Sequence, residues 1–564
     1  MKKRVVNFIT EELIRENIKY VFGVTGKTIA PLLDAFLDYD DIEYIAARHE
    51  NGAALMAYGY AQESRKIGVC CGSTGGGSTN LATGVATAFM NSVPLLVITG
   101  QIPTDQYGKG AFQESTGFGQ TIDTVEFFKP ITKESFSLVN PVNAPEVIRH
   151  AIRCAMTGRM GPVHVNIPFD IQSALIDYDQ PFVARSKFVG VYQPEMLALR
   201  EAVNLIKTAK RPVFLVGWGG VFSKADGQIV KLAERFDIPV ATTIQGKGAI
   251  PDDHPLCLGV VGICGHPIAA DYVFNRSDLL IAVGTSFGEF STLGWDDRFS
   301  KNKKIIQIDI DNLEIGKNYP VEVGLVGDAK LVVEQLMMAL ERDDVKAKKS
   351  GKEAAAMIHR LGRVIEPEKM DDCDAPIKPQ RLLQVIRELS PENTYFLADS
   401  SSHWAWAMHY LSIGKEGGFF PTLSLGAMGA SIGAAIGVKL SNPLHPVVCI
   451  CGDGSFLMGG NEVATAAQYN IPVIWIVFND ARYGMPELSV KKMYNRTIGV
   501  RLKETDFSLI AQGYGAVGLR IDHPSQAREI IGMAFTADAP VVIDVHIDPH
   551  EIPPIGQRKL TTGK

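Results

Sequence analysis

Short apolar runs alternate along almost the whole chain with longer stretches whose apolar residues recur at helical spacing. Some of these runs are apolar throughout and end in glycine or a polar residue, which predicts buried strands: KIGVCCGS, VPLLVITG, RPVFLVG, SDLLIAVG, KKIIQIDID, HPVVCICG and IPVIWIVFND. Such strands, when helices separate them, pair in parallel and are covered by helices on both faces. The pattern therefore predicts doubly wound α/β domains.

Two breaks in this alternation predict domain boundaries. Residues 177–195 are polar and contain proline, and residues 341–380 run from a charged helix into a stretch rich in Pro and Asp. Breaks of this kind mark linkers. We expect three parallel-sheet domains, at residues 1–180, 190–345 and 375–550.

The first and third of these domains share a pattern. GGGSTNLATGVATAFMNSVPLLVITG and LGAMGASIGAAIGVKLSNPLHPVVCICG each run from a Gly-rich turn, through a helix of small residues, to a strand that ends in glycine. Small residues let such a helix pack closely against a neighbour. The pattern indicates two related domains that face each other, and interfaces of this kind favour ligand sites.

Composition narrows the range of functions. The net charge of −6 argues against a general nucleic-acid binder, which is usually basic. No apolar run approaches the ~20 residues that a membrane span needs, and the N-terminus has helical spacing rather than the pattern of a signal peptide. We expect a cytoplasmic protein in which Cys70, Cys71, Cys449 and Cys451 are buried, reduced thiols.

An acidic residue follows each of two apolar strands in the third domain. Asp453 lies between two glycines after HPVVCIC, and Asp480 follows the next strand, predicted at 472–478 after a helix at 459–469. Asp453 could simply cap the next helix. Carboxyl ends of parallel strands share one edge, however, so both carboxylates converge there, and such oxygens suit Mg²⁺. A helix starting near Gly459 or Gly460 would add N–H groups for a phosphate.

This arrangement, with Gly-Asp-Gly followed by Asn-Asp one crossover later, resembles the diphosphate-anchoring motif of thiamine diphosphate enzymes. The resemblance covers nearly the whole chain and is to the acetolactate synthase group. It implies thiamine diphosphate as cofactor and Mg²⁺ held by Asp453, Asp480 and the backbone carbonyl of Arg482. Asp480 departs from the family pattern, in which Asn is usual at this position.

Segments of the first domain match the same group. RHENGAALMAYGYA resembles the segment with a catalytic glutamate, which implies that Glu50 bonds the cofactor's pyrimidine across a subunit interface in a homodimer or homotetramer. GAFQE matches an active-site pair, Phe112 and Gln113. VFGVTGKTIAPLLDAF places Gly26 beside the cofactor and Lys27 where a small residue usually faces the substrate. The alternatives are a helix-terminal acid for Glu50 and a solvated side chain for Lys27.

Segments of the third domain supply the remaining cofactor contacts that the resemblance implies. In LGAMGASIGAAIG, the carbonyl of Gly426 would bind the aminopyrimidine, and Met428 would hold the cofactor in a bent shape. ADSSSHWAW resembles a diphosphate-contacting segment. With the metal loop, these segments imply further cofactor-binding residues: Ser401, Ser402, His403, Gly452, Gly454, Ser455, Tyr483, Gly484 and Met485.

Two departures from the acetolactate synthase pattern bear on function. The central domain has TSFGEFSTLGWDDRF in place of the usual FAD-binding segment and lacks G-x-G-x-x-G after a strand, so FAD is doubtful and a scaffold role is favoured. Ser489 stands where those enzymes carry a Trp that shapes the acceptor pocket.

The resemblance predicts an enzyme that decarboxylates a 2-oxo acid, with pyruvate favoured, and joins the product to a carbonyl acceptor. A simple 2-oxo acid decarboxylase or an acyl-CoA-type lyase on the same cofactor is the alternative. A non-catalytic binding protein is a third hypothesis, which the presence of Glu50, Asp453 and Asp480 disfavours.

Overall fold

The computed structural model of the chain describes residues 2–177 and 193–556. Within them lie three six-stranded sheets, and every strand pair in these sheets is parallel. This confirms the predicted fold class. The first predicted boundary, at 177–195, falls almost wholly outside the described residues.

The first sheet has the spatial strand order Glu43–Ala46, Tyr20–Gly23, Gly68–Gly72, Leu95–Gln101, Val163–Pro168 and Glu134–Ser137. A two-residue antiparallel pair, Lys3–Arg4 with Leu175–Ile176, joins the two ends of this domain. The helices that cover the sheet are Val5–Arg15, Ala30–Phe36, Glu50–Ser64, Gly76–Thr79, Ala82–Met90, Thr124–Phe128, Ala144–Met156 and Phe169–Ser173.

The third sheet repeats the topology of the first. Its spatial order is Gly418–Pro421, Tyr395–Ala398, Val447–Gly452, Ile474–Asn479, Val541–His546 and Val517–Ile521, which is the same permutation of chain order. Its helices are Pro379–Leu389, Ser402–Tyr410, Ala430–Ser441, Asp453–Gly459, Val463–Gln468, Gly484–Tyr494, Phe507–Gly513 and Pro524–Thr536. The shared order confirms that the two domains are related.

The central sheet has a different order: Cys257–Val260, Val240–Thr242, Pro212–Val216, Leu279–Val283, Lys304–Asp309 and Val323–Val326. Strand order therefore reverses beside Pro212–Val216, as in dinucleotide-binding folds. Its helices are Met196–Thr208, Trp218–Phe222, Asp226–Phe236, Pro267–Asp271, Glu289–Thr292, Ala329–Arg342 and Ser350–Leu361. The helix Ser350–Leu361 packs on this domain although it lies beyond residue 345, where the predicted central domain ends. The three predicted domain ranges stay predictions.

The first and third domains meet through the two small-residue helices Glu50–Ser64 and Ala430–Ser441. A Cβ added at Gly59 would lie 2.0 Å from the carbonyl oxygen of Ala434, and one added at Gly437 would lie 1.9 Å from that of Met56. The two backbones are therefore in direct contact. The third-domain helix is the predicted small-residue stretch, whereas the predicted first-domain stretch forms Ala82–Met90 and packs on Glu50–Ser64 within its own domain.

One polar junction joins all three domains. The Gln245 amide of the central domain donates to Asn91 Oδ1 of the first domain at 3.0 Å and to Ser424 Oγ of the third domain at 2.6 Å. Ser424 Oγ in turn donates to Asn91 Oδ1 at 2.8 Å. Because hydrogen bonds are directional, this triangle fixes the relative placement of the three sheets at one point.

The helix predicted at 459–469 corresponds to a 3₁₀ turn and a helix over residues 460–468, and the prediction missed a further helix that precedes them. The strand Val447–Gly452 runs directly into the helix Asp453–Gly459, a 3₁₀ turn spans Gly460–Glu462, and a second helix covers Val463–Gln468. The interruption occurs where the Gly429 turn packs, since a Cβ at Gly459 would lie 2.8 Å from the carbonyl oxygen of Gly429. A helix N-terminus therefore lies at Asp453 itself, in addition to the predicted helical start at Gly460.

The four strand cysteines, Cys70, Cys71, Cys449 and Cys451, are buried as expected. Among the described residues, no helix combines the length and apolarity that crossing a membrane requires.

Gly437→Ala should destabilise the chain, because its methyl group would overlap backbone that cannot move aside. Overpacking of this kind typically costs about 1–3 kcal/mol. Gly532→Ala is the matched control in the exposed helix Pro524–Thr536, where an added Cβ meets nothing within 4 Å; it should raise stability by up to about 1 kcal/mol. Differential scanning calorimetry measures both effects, and an unchanged transition for Gly437→Ala would contradict the described packing.

Candidate active site

Two neighbouring strands of the third sheet bring two aspartates to one edge. Gly452 and Phe478 are paired in the ladder that joins Val447–Gly452 to Ile474–Asn479. Asp453 follows the first strand directly, and Asp480 follows the second. The backbone N–H of Arg482 donates to Asp453 Oδ2 at 3.1 Å, which ties the second loop to the first carboxylate.

The two carboxylates lie in an environment that disfavours negative charge. Asp453 is 4% exposed, and burial, followed by the charge of Asp480, raises its pKa to about 6. Burial also raises the pKa of Asp480. No group of three or more His, Cys, Asp or Glu side chains in the described part of the chain could hold a metal ion. A cation here would thus take its other ligands from backbone, water or a bound anion.

Most of the predicted cofactor residues line one small cavity beside these aspartates, which we call the strand-end cleft. Its lining includes Ser401, Ser402, His403, Met428, Gly452, Asp453, Gly454, Ser455, Asp480, Arg482, Tyr483 and Gly484. Gly426 and Met485 line the larger cavity that adjoins it at Met428. Four separate loops of the third domain therefore converge on the cleft.

The glycines of the Gly-Asp-Gly turn permit this convergence. A Cβ at Gly454 would lie 2.5 Å from the Tyr483 ring and 3.1 Å from the terminal methyl carbon of Met428. A Cβ at Gly452 would lie 2.9 Å from His403 Nδ1. Any side chain at these two positions would push the neighbouring loops away from the carboxylates.

Buried polar atoms without a partner in the described chain lie in and beside the cleft. His403 Nε2 and Trp406 Nε1 belong to residues that line the cleft, and Ser400 Oγ belongs to a residue of the adjoining large cavity; all three are buried and make no hydrogen bond. Burial lowers the pKa of His403 to about 3, so its ring is neutral at pH 7. Unpartnered buried polar groups are costly, and a polar ligand with several acceptor oxygens would satisfy them.

Asp399 is a site residue that sequence reasoning missed. It is fully buried, and its two oxygens accept the backbone N–H groups of Gly429 at 2.8 Å and Ser431 at 2.7 Å. Burial raises the pKa of Asp399 to about 6. These bonds hold the turn that carries Gly426 and Met428. The available signal was its position, directly after the apolar strand Tyr395–Ala398.

The predicted residues of the first domain gather at the carboxyl edge of the first sheet. Gly26 and Lys27 follow the strand Tyr20–Gly23, and Glu50 follows Glu43–Ala46 as the first residue of its helix. Glu50 Oε2 accepts a hydrogen bond from Asn80 Nδ2 at 3.0 Å. Glu50 thus has a defined partner, in addition to the helix-terminal position that the alternative interpretation predicted.

Phe112 and Gln113 lie in the loop that follows the strand Leu95–Gln101. Phe112 is 88% exposed, and Gln113 has a φ of +62°. The carbonyl of Gln113 accepts from Thr74 Oγ1 at 3.0 Å, which holds this loop against the turn after the strand Gly68–Gly72.

The two groups of predicted residues are not joined within one chain. In residues 2–177 and 193–556, no hydrogen bond or ion pair connects Gly26, Lys27, Glu50, Phe112 or Gln113 to the strand-end cleft. One link between the two domains beside Glu50 is Glu462, missed by sequence reasoning, whose carboxylate accepts from the N–H groups of Arg48 at 3.1 Å and His49 at 3.0 Å. Glu462 therefore fixes the start of the Glu50 helix from the third domain.

A cavity of about 1720 Å³ lies between the three domains beside the cleft. The central domain contributes residues at or just beyond its strand ends, including Trp218, Gly284 and Asp309, and the third domain contributes Met428 and Ser489. The central domain thus lines a large cavity, in addition to the scaffold role that the sequence predicted for it.

Comparison with known families gives three matches along the chain. Residues 3–122 match the thiamine pyrophosphate enzyme N-terminal TPP binding domain, residues 199–336 match the central domain, and residues 399–545 match the C-terminal TPP binding domain.

Relatives of known classification match almost end to end. A probable acetolactate synthase large subunit of Methanocaldococcus jannaschii is 39% identical, over 97% of this chain and 93% of that protein. One from Methanococcus aeolicus is 38% identical, over 95% and 90%. An acetolactate synthase of Arthrospira platensis is 34% identical, over 96% and 93%.

Proposed function

The chain belongs to the thiamine pyrophosphate enzyme family, and from that premise we propose that it decarboxylates a 2-oxo acid, with pyruvate as favoured donor, and transfers the acyl group to a carbonyl acceptor. It is a thiamine diphosphate-dependent, acetolactate synthase-like enzyme. The placement of Asp453 and Asp480 at adjacent strand ends supports the mechanistic part of the proposal.

The residues of the cleft fit the cofactor and a magnesium ion. Asp453, Asp480 and the carbonyl of Arg482 would hold Mg²⁺, and the unpartnered atoms of His403 in the cleft and Ser400 beside it suit diphosphate oxygens. When bound, thiamine diphosphate supplies an electron sink for the bond that decarboxylation breaks. The protein's part is to fix the diphosphate through the cation, to shape the cofactor with Met428, and to exclude water.

We also propose that the site is completed by a second copy of the chain in a homodimer or homotetramer. Glu50 and Gln113 lie at the edge of the first sheet without contact to the cleft of their own chain, and Phe112 beside them is largely exposed. Glu50 would then hold the cofactor's pyrimidine in the partner copy and direct proton transfer there, as the family resemblance implies.

The large cavity is proposed as the route of donor and acceptor. It joins the cleft at Ser401 and Met428, and Ser489 on its wall leaves the space that, by the family resemblance, a Trp fills in acetolactate synthases. We expect acceptor choice to differ from that of those enzymes for this reason. The interpretation of FAD as doubtful stays a prediction.

Carbon dioxide release and product analysis test the proposed reaction. With thiamine diphosphate, Mg²⁺ and pyruvate, we expect carbon dioxide release and a ligated product whose yield depends on an added carbonyl acceptor. Release of carbon dioxide with free aldehyde as the product, whatever acceptor is added, would show the alternative decarboxylase. Absence of both cofactor binding and turnover would favour a binding protein.

Lys27 is proposed to bind an anionic substrate. It begins a 3₁₀ turn directly after Gly26, whose added Cβ would lie 2.5 Å from Ser73 Cβ, so this turn packs tightly on the sheet edge. Lys27 is exposed, and its ammonium pairs with no carboxylate of the described residues. A free cation at the reaction edge attracts a substrate carboxylate, more strongly as water is excluded.

Lys27→Ser should raise the KM for an anionic acceptor at least about tenfold, which is a loss of about 1.4 kcal/mol of binding. Cofactor affinity should hardly change, and Lys27→Arg should retain most of the effect because it keeps the charge. Steady-state kinetics with charged and neutral acceptors provide the comparison. An equal change for both kinds of acceptor would show that Lys27 does not recognise charge.

A further inference from the structure

The side chain of Arg482 lies against the aspartate that replaces the family's usual Asn. Its Nε donates to Asp480 Oδ2 at 2.6 Å. The exposed fractions of the two side chains are 15% and 11%, so this ion pair is largely removed from water. Sequence reasoning assigned Arg482 only a backbone carbonyl, and the side-chain contact is additional.

Two further contacts fix the guanidinium in place. Nη1 donates to Glu487 Oε2 at 2.9 Å, and Nη2 donates to the carbonyl oxygen of Pro549. Arg501 Nη2 holds the other oxygen of Glu487 at 2.7 Å. Arg482 therefore connects the metal loop, the helix Gly484–Tyr494 and the segment after the last strand, and it cannot rotate away without breaking three contacts.

We infer that Arg482 is a positioning residue that balances the charge of Asp480 and leaves it one free oxygen as a ligand, in place of the usual Asn; this rests on the proposed function. The guanidinium occupies Oδ2 and leaves Oδ1 for a cation. Both Asp and Asn then present a single free oxygen, and the extra negative charge of Asp480 is balanced.

The charges at the cleft predict how the loss of Arg482 would affect the binding of a diphosphate. Asp453 and Asp480 contribute two negative charges and Arg482 one positive charge, while Glu487 and Arg501 offset each other. Without Arg482, one more uncompensated negative charge would face an incoming diphosphate in a poorly solvated cleft, where charges interact strongly. Asp480 could then also bind a cation through both oxygens, which suits Ca²⁺ better than Mg²⁺.

Calorimetric titration of thiamine diphosphate at saturating Mg²⁺ tests the inference in four proteins: wild type, R482Q, D480N and D480N/R482Q. R482Q should weaken binding at least about tenfold. In the D480N background the same substitution should cost less than about threefold, because no extra charge remains to be balanced. R482Q should also shift the preference of cofactor binding from Mg²⁺ towards Ca²⁺, and D480N/R482Q should not.

Arg501→Gln is the matched control, because Arg501 pairs with the other oxygen of Glu487, its side chain is 67% exposed, and in the described part of the chain no hydrogen bond or ion pair joins it to Asp480; its effect on cofactor binding should be smaller than that of R482Q. Thermal melting without cofactor checks that each variant folds. Equal losses from R482Q in both backgrounds would overturn the inference and indicate direct contact with the diphosphate, and wild-type affinity of R482Q would overturn it as well. Failure of the wild type to bind thiamine diphosphate would instead refute the proposed function.

Discussion

The burial of two like charges at neighbouring strand ends is the constraint on which this site depends. Asp453 and Asp480 follow adjacent parallel strands, and both are largely removed from water. Carboxylates so placed are stable only when protonated or near a cation. Arg482 supplies one positive charge. The glycines bring the neighbouring loops close, and the unpartnered atoms of His403 in the cleft and Ser400 beside it add polar groups; under the proposed function these features would suit a cation and a diphosphate.

Much of the fold could be predicted from the sequence because local patterns of apolar and small residues determine its strands and helices. The seven apolar runs are strands, and the small-residue stretch of the third domain is the helix that joins it to the first domain, although its partner there is Glu50–Ser64 and not the predicted small-residue stretch. The helix Asp453–Gly459 was not predicted, because its end at Gly459 depends on packing against a turn at Gly429 that is distant in the chain. Asp399 and Glu462 act through such distant contacts, and Arg482 acts through a side-chain orientation that spacing alone does not reveal.

The duplicated topology explains how one chain presents two groups of predicted site residues, which the proposed function would join into one reaction centre between two copies. Both outer sheets have the same strand order, and each presents its predicted site residues at its carboxyl edge. Ligands of open α/β sheets bind at this edge. The Asn91–Gln245–Ser424 junction and the large cavity place the central domain beside the cleft, where it can shape access to the reacting groups.

Calorimetric titration of thiamine diphosphate into Asp453→Ala, with Mg²⁺ present, tests the central claim most directly. Loss of the carboxylate removes a ligand of the bridging cation, so binding should fall below detection while the thermal transition is retained. Asp522→Ala is the matched control, because Asp522 also follows a strand of this sheet but is exposed and bonded to Arg520; it should bind as the wild type does. Wild-type affinity in Asp453→Ala would contradict the assignment of the cleft.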